Sequence, residues 1–224
     1  LQNTTATGVA AQWASVEPSA AAQWVLTFPE GMPGFERHHR YALLQDARLA
    51  PFFWLQSMHD PLTGLGNRSL FQQRFEQAVS RRPRPRGLAL LLVDLDGFKA
   101  VNDSRGHAVG DLVLRLMAER LRSVTRDGDT LARVGGDEFV LLCPDATPGA
   151  AAEIAERVLA VVGRPLRAGD DWFQLGASVG VSHASLTGVY TVVDAAGLLR
   201  EADRAMYEAK KAGKGRVVVA PAGA

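Results

Sequence analysis

Two stretches of this chain have residue types and spacing suited to metal-assisted phosphoryl transfer: Val93-Asp94-Leu95-Asp96-Gly97-Phe98-Lys99 and Gly135-Gly136-Asp137-Glu138-Phe139. Leu88 to Val93 is a short apolar run that reads as a buried strand, and Asp94 and Asp96 follow where such a strand leaves the core. Magnesium takes oxygen ligands in near-octahedral geometry and shares them between one or two protein carboxylates and substrate phosphates, a task that suits Asp94 and Asp137. Gly97, Phe98 and Lys99 read as a turn into a short helix, where free backbone N–H groups and one ammonium hold phosphate oxygens. The second stretch lies between two apolar runs, Thr130 to Val134 and Phe139 to Cys143, and reads as a hairpin turn. Its paired glycines accept positive φ and let a ligand approach the backbone, with Asp137 and Glu138 at the tip. Taken alone, that string is equally a solvated turn.

The elements that must position these groups are legible as alternating helical and extended patterns. "SLFQQRFEQAVSR" places Leu70, Phe71, Phe75 and Val79 near one helical face, with Ser69 as N-cap. Gly110 and Asp111 are expected to open a second helix, in which Leu112, Leu116, Ala118 and Leu121 recur at helical spacing. Thr147 to Val162 reads as a third helix, Trp172 to His183 as two short strands around a glycine turn, and Asp194 as the cap of a final helix ending near Gly213. Val217 to Val219 supplies a last strand. This interleaving predicts an α/β or α+β sandwich with helices covering a central sheet.

With 224 residues the chain accommodates one ordinary domain and a smaller module, and its apolar and charged fractions exclude disorder throughout. A formal net charge of +1 gives no electrostatic reason to expect nucleic-acid binding, and the basic stretch Arg81 to Gly87 is short and broken by proline. The single cysteine, Cys143, excludes an intramolecular disulfide, sits in an apolar strand and reads as a buried structural thiol, which fits a reducing cytoplasm. No apolar run approaches the roughly 18 residues of a membrane helix, so this chain is expected to be soluble, with no membrane segment. It opens on Leu1 rather than Met, which leaves room for sensing or membrane segments upstream. His38, His39, His59, His107 and His183 are too scattered for a zinc site and read as structural.

Four motifs in order carry a family resemblance: "DPLTGLGNR" (Asp60 to Arg68), "VDLDGFKAVND" (Val93 to Asp103), "RVGGDEF" (Arg133 to Phe139) and "ADRAMYEAKKAGKGR" (Ala202 to Arg216). Together they resemble the GGDEF domain of diguanylate cyclases over about Asp60 to Val219. The resemblance implies a mainly antiparallel central sheet related to the nucleotidyl-cyclase and polymerase-palm fold. It implies condensation of two GTP into cyclic di-GMP with loss of two pyrophosphates, across a homodimer whose protomers each hold one GTP. Asp94, the Leu95 carbonyl and Asp137 are then the expected ligands of Mg²⁺ (or Mn²⁺), with Glu138 a further metal contact or the carboxylate that activates the hydroxyl. Lys99, Lys210 and Lys214 match phosphate-binding positions beside Gly97, Phe98, Gly135 and Gly136. Outside the resemblance, lysines late in a helix read as dipole-compensating surface groups.

Asn102 and Asp111 match guanine-recognition positions, with chemistry to suit: a carboxylate accepts from the guanine N1–H and 2-amino edge, and an amide both donates and accepts. The aspartate at 111 favours guanine over adenine in this family. Arg126-Asp127-Gly128-Asp129 matches the family's RxxD product-inhibition site, and Arg157 falls where a second inhibitory arginine is expected. An isolated pair of this kind is otherwise a surface ion pair. One departure stands beside these matches: Gly215 replaces the Asn or Asp common after the last basic residue.

The chain is expected to divide into a flexible leader (1–22), a small β-rich segment (23–57) and the cyclase domain (58–220). "WVLTF", "RYALLQ" and "PFFWLQS" read as strands around the turn "PEGMPGFE". Leu26 to Leu44 and Pro51 to Ser57 resemble the opening of the flagellar assembly factor FliW, truncated before the rest of its barrel. Three strands alone leave unpaired edges and exposed aromatics such as Trp24 and Phe53, so the segment either pairs with the cyclase domain or a second chain, or is a plain packing element. Two alternatives to an active cyclase remain: a silent cyclic di-GMP receptor using Arg126, Asp129 and Arg157, and an interaction module for a flagellar protein. Intact Asp94, Lys99, Asp137 and Glu138 argue against the first.

Overall fold

The computed structural model describes residues 58–81, 83, 85–186 and 194–221. The expected leader and the FliW-like strands lie outside these residues. The chain divides into two compact units, Leu1–Met58 and His59–Ala224. In chain order the elements of the second unit are α1 (Arg68–Ser80), β1 (Gly87–Asp96), α2 (Phe98–Arg105), α3 (His107–Ser123), β2 (Thr130–Gly135), β3 (Glu138–Pro144), α4 (Pro148–Val162), β4 (Leu166–Ala168), β5 (Asp171–Phe173), β6 (Gly176–Ser185), α5 (Ala195–Lys211) and β7 (Arg216–Val219).

The main sheet has the order β2-β3-β1-β6-β7, and β4 and β5 form a separate hairpin. Strand β1 is central, antiparallel to β3 from Leu88↔Pro144 to Asp94↔Glu138 and to β6 from Gly87↔Ser185 to Asp96↔Gly176. The β2–β3 pair is also antiparallel, and β6 and β7 run parallel. The sheet is thus mixed and mainly antiparallel, flanked by helices, as expected.

Strand β1 reads as an unbroken apolar run because both its faces are covered. Ala89, Leu91, Val93 and Leu95 pack with Val113, Met117, Leu121, Ile154 and Val158 of α3 and α4. Leu88, Leu90 and Leu92 pack on the other side with Phe71 and Phe75 of α1 and Leu198, Ala202 and Met206 of α5. With a side-chain period of two, Asp94 and Asp96 therefore fall on the α1/α5 face. On that face β6 presents Ser178, Gly180 and Ser182. A Cβ at Gly180 would lie 1.9 Å from the Ala202 carbonyl oxygen, so the glycine is what lets α5 sit this close to the sheet. Ser182 Oγ, fully buried, donates to the Leu198 carbonyl at 2.8 Å and pins the same helix.

Three local expectations are corrected. Helix α1 is capped by Asn67, whose Oδ1 accepts from Ser69 and Leu70 N–H at 2.9 and 3.1 Å, and Ser69 lies inside the first turn. Asparagine caps as well as serine, and it stands first in the chain. Helix α3 begins at His107, immediately after Gly106 (φ 81°), so Gly110 and Asp111 do not open it; its core face runs through Val113, Leu114 and Met117, with Leu112 and Leu116 half-buried. Gly110 is instead a contact residue, since a Cβ there would sit 1.9 Å from Asn102 Oδ1. Finally, Trp172 to His183 does span two strands, β5 and β6, with a break before Gly176, but β5 pairs with β4 and β6 is ten residues long rather than short, with Gly180 inside it at a close approach to α5. Asp194 caps its helix where expected, and Thr147, expected as the first residue of the third helix, is the N-cap of α4.

Candidate active site

The antiparallel pairing of Asp94 with Glu138 sets the site, because opposed residues on neighbouring strands project from the same face with Cβ atoms about 5 Å apart. Asp137 follows from the hairpin: its carbonyl accepts from the Leu95 N–H at 3.3 Å, which ties the tip to the end of β1. Gly135 pairs with Glu138 across the turn, and Gly136 adopts φ 27°. From α5, Lys210 Nζ donates to Asp94 Oδ2 at 2.7 Å, with the two side chains 33% and 13% exposed.

Charge follows from this geometry. Burial first, then the Asp94 charge, push the Asp137 carboxyl above the usual aspartate range, and the same two causes raise Glu138. Burial works against the Lys210 ammonium, but Asp94, Glu138 and Asp137 outweigh it and hold its pKa above the ordinary lysine value. Three carboxylates thus share one end of the sheet with one ammonium, and burial first, then their mutual repulsion, disfavours the charged forms of Asp137 and Glu138. An all-oxygen donor set in that condition fits a hard divalent cation. No group of three or more His, Cys, Asp or Glu among the described residues is already gathered as a metal cage. Magnesium takes only one or two protein carboxylates and completes its shell with water and substrate phosphate oxygens.

Next to the carboxylates, Gly97 takes φ 88° at the N-cap of α2 and no side chain caps that helix, leaving first-turn N–H groups for an anion. Phe98 is buried in the core, so its backbone rather than its ring faces that role, while Lys99 is exposed. Asn102 is half-buried, packed against Gly110, and Asp111 is half-buried in the fifth position of α3 rather than capping it. Lys214 is exposed in the turn after α5, with φ 62°.

Sequence reasoning missed the parts that hold the site in place. Arg133 Nη1 lies 3.1 Å from both Asp60 carboxylate oxygens, and its Nε donates to the Gly136 carbonyl at 2.9 Å, so the turn before α1 supports the acidic hairpin. Burial works to raise the Asp60 carboxyl, but donors from Thr63 and then Arg133 hold it below its ordinary value. Asp96, two residues after Asp94, accepts from Ser178 Oγ and from the Gly215 N–H. A cavity of about 220 Å³ also opens beside Glu138 between α1 and α5, lined in part by Arg68, Arg200 and Asp203. The signal for Asp60 and Arg133 was present in two of the four motifs, but their pairing spans 73 positions.

The expected inhibitory residues lie away from this site. Arg126 Nε donates to Asp129 Oδ1 at 3.0 Å, and its Nη2 to the Pro144 carbonyl at 2.6 Å; the Asp129 side chain is 2% exposed against 56% for Arg126. Burial, then Asp129, push the Cys143 thiol up to about 12, with Arg126 and Arg157 pulling the other way, so all three residues lie within electrostatic reach of one buried sulfur. His183 Nε2 lies 3.0 Å from the Ala146 carbonyl, in keeping with a structural role.

Comparison with known proteins matches two families along the chain. Residues 57–216 match the family described as diguanylate cyclase, GGDEF domain, and residues 12–76 match the FliW protein family. The chain is 43% identical over 159 residues to the bifunctional diguanylate cyclase/cyclic di-GMP phosphodiesterase MucR of Pseudomonas aeruginosa, covering 70% of this chain and 23% of that protein. It is 41% identical over 164 residues to the diguanylate cyclase TpbB of the same species, covering 71% of this chain and 37% of TpbB. The chain therefore spans about a quarter to two-fifths of the length of these relatives. Among solved structures, the GGDEF-only form of TpbB superposes with TM-score 0.66 at 37% identity, covering 73% of this chain and 94% of that one. The coiled coil and GGDEF domain of DgcB from Caulobacter crescentus, in complex with c-di-GMP, superposes with TM-score 0.68 at 25% identity, covering 76% and 90%.

Proposed function

The chain belongs to the GGDEF family of diguanylate cyclases, and on that premise we propose that it condenses two GTP molecules into cyclic di-GMP with release of two pyrophosphates. The observation that carries this reading is the meeting of Asp94 on β1, Asp137 in the β2–β3 turn and Glu138 on β3 with Lys210 from α5, beside the uncapped start of α2. In it, each protomer of a homodimer holds one GTP. Asn102 and Asp111 take the guanine edge, and the first turn of α2 with Lys99, Lys210 and Lys214 takes the phosphates. Asp94, the Leu95 carbonyl and Asp137 hold Mg²⁺ (or Mn²⁺), which when bound neutralises triphosphate charge and lowers the barrier to hydroxyl deprotonation. Glu138, its pKa raised by burial and by Asp94, accepts the 3′-hydroxyl proton or completes the metal shell. Each 3′-oxygen forms a bond to the α-phosphorus of the other nucleotide as the bond to the β-phosphate bridging oxygen breaks. Two phosphodiesters form and two pyrophosphates leave.

The folded RxxD turn with Arg157 nearby supports product feedback at Arg126, Asp129 and Arg157. Chromatographic product analysis with GTP and Mg²⁺, beside an Asp137→Ala, Glu138→Ala control, tests the activity. Cyclic di-GMP from the parent chain alone supports it, and equal traces from both refute it. Arg126→Ala should abolish inhibition by added cyclic di-GMP while leaving the initial rate intact. The FliW match adds a flagellar protein as a proposed partner of the N-terminal unit, which a flagellin pull-down with and without residues 1–57 tests. A substrate drawn from the GTP pool places the proposed enzyme in the cytoplasm. No helix among the described residues is long and apolar enough to cross a membrane.

A further inference from the structure

Asp96 stands two residues beyond Asp94 on the same face of β1, yet its carboxylate is already committed. Ser178 Oγ, fully buried, lies 3.0 and 3.1 Å from its two oxygens, and the Gly215 N–H donates to Oδ2 at 2.9 Å. Gly176 is its cross-strand partner, and a Cβ there would touch Asp96 at ordinary contact distance, 3.4 Å. The end of α5 is thus tied to the end of β1 at two successive same-face positions: Lys210 to Asp94, and the following turn to Asp96.

Lys214 sits in that turn. It adopts φ 62° between Gly213 (φ 110°) and Gly215 (φ 58°), a left-handed conformation that a residue with a Cβ holds only where the surroundings impose it. Its own N–H closes the helix end on the Ala209 carbonyl at 3.0 Å. That bond fixes the turn to α5, and the Asp96–Gly215 bond fixes it to the sheet.

We propose that Asp96 is a positioning residue: through Gly215 N–H it holds the Lys214 turn at the height where that ammonium meets the outer phosphates of a nucleoside triphosphate seated beside Asp94. The inference rests on the nucleotide reading of the site. Asp96 acts here through its neighbour rather than by binding metal, and it contributes to selection of a triphosphate over a monophosphate. Asparagine preserves the acceptor for Gly215 and leaves Ser178 Oγ free to turn and accept, so Asp96→Asn keeps the function that Asp96→Ala removes.

The test is equilibrium binding of a non-hydrolysable GTP analogue and of GMP in Mg²⁺, with Mn²⁺ binding to the analogue complex read by electron paramagnetic resonance. Asp96→Ala should weaken the triphosphate about tenfold, the loss of one charge-assisted phosphate contact, and leave GMP unchanged. Asp96→Asn should bind both as the parent does, with Mn²⁺ affinity intact. Lys214→Ala should match Asp96→Ala, and the double variant should be no worse than either, because the two losses are one. Ser178→Ala, which keeps the Gly215 bond, should fall between parent and Asp96→Ala and serves if Asp96→Ala fails to fold. Asp96→Asn losing Mn²⁺ together with triphosphate binding would make Asp96 a metal ligand and overturn the proposal. Independent, additive losses from Asp96→Ala and Lys214→Ala would overturn it too. A parent chain that binds no triphosphate removes the nucleotide reading itself, and this inference with it.

Discussion

Replacing Lys210 with methionine separates two tasks that one ammonium performs. Lys210 Nζ sits 2.7 Å from Asp94 Oδ2, so a metal ion approaching that oxygen competes with the ammonium. A charge-assisted hydrogen bond of this length contributes about 1.5–3 kcal/mol, or about ten- to hundredfold in a binding constant. The ammonium is one-third exposed, which puts the effect at the lower end. Lys210→Met should therefore tighten Mn²⁺ binding to the nucleotide-free chain about tenfold, while binding of a GTP analogue weakens by a similar factor through loss of a phosphate contact. Mn²⁺ titrations by electron paramagnetic resonance, with and without the analogue, read both quantities. The variant should also unfold at lower temperature without metal, because Asp94 then stands uncompensated beside Asp137 and Glu138, and recover when Mn²⁺ is added. The Lys210 pKa is raised, so the stability it confers is present throughout the neutral range and lost only as pH rises past its elevated value. Unchanged or weaker metal affinity in the variant would refute the reasoning, for it would mean that Lys210 does not compete for Asp94.

Three further outcomes are expected from the same geometry. The Asp137 carboxyl is raised by burial and by Asp94, so the folded chain holds a proton that the unfolded chain releases; metal-free parent should lose stability relative to Asp137→Asn as pH rises through the ordinary aspartate range, leaving the variant the more stable near pH 7 and the two alike below about pH 3 by thermal unfolding. Asp60→Asn breaks an ion pair whose side chains are only 17% and 15% exposed, and should cost about 2 kcal/mol in urea unfolding and lower kcat more than it raises KM, since Arg133 also holds Gly136. The stabilisation from Asp60 itself should persist above the ordinary aspartate range and fade only as pH falls through its depressed value. Cys143, with its pKa pushed up to about 12 and its side chain buried, should resist thiol reagents in the native chain at neutral pH and react once denaturant is added, as a mass shift reports.

Much of this protein was legible from local pattern alone. The apolar run of β1, the two strands around Gly135-Gly136-Asp137-Glu138, and the helices capped by Thr147 and Asp194 all follow from periodicity and cap chemistry, which are properties of neighbours in the chain. The ordered motifs likewise marked the GGDEF domain and singled out the acidic residues that the fold gathers at one end of the sheet. Where those same signals failed, a tertiary contact had reassigned a residue. Gly110 makes space for Asn102 instead of opening a helix, and the expected short strand is the ten-residue β6, whose Gly180 lies under α5.

What only the folded chain decided is which groups meet. Asp94 faces Glu138 because the β1–β3 register places them opposite; a one-residue slip would turn one of them to the other side of the sheet. Lys210 reaches Asp94 across 116 positions because Ser178, Gly180 and Ser182 are small enough for α5 to settle against β6. Asp96, which motif reading placed with the metal segment, is turned to other work by Ser178 and Gly215. A sequence records which side chains can take a proton, a phosphate or a metal. Register and the closeness of packing determine which of them do so together, since both depend on residues far apart in the chain.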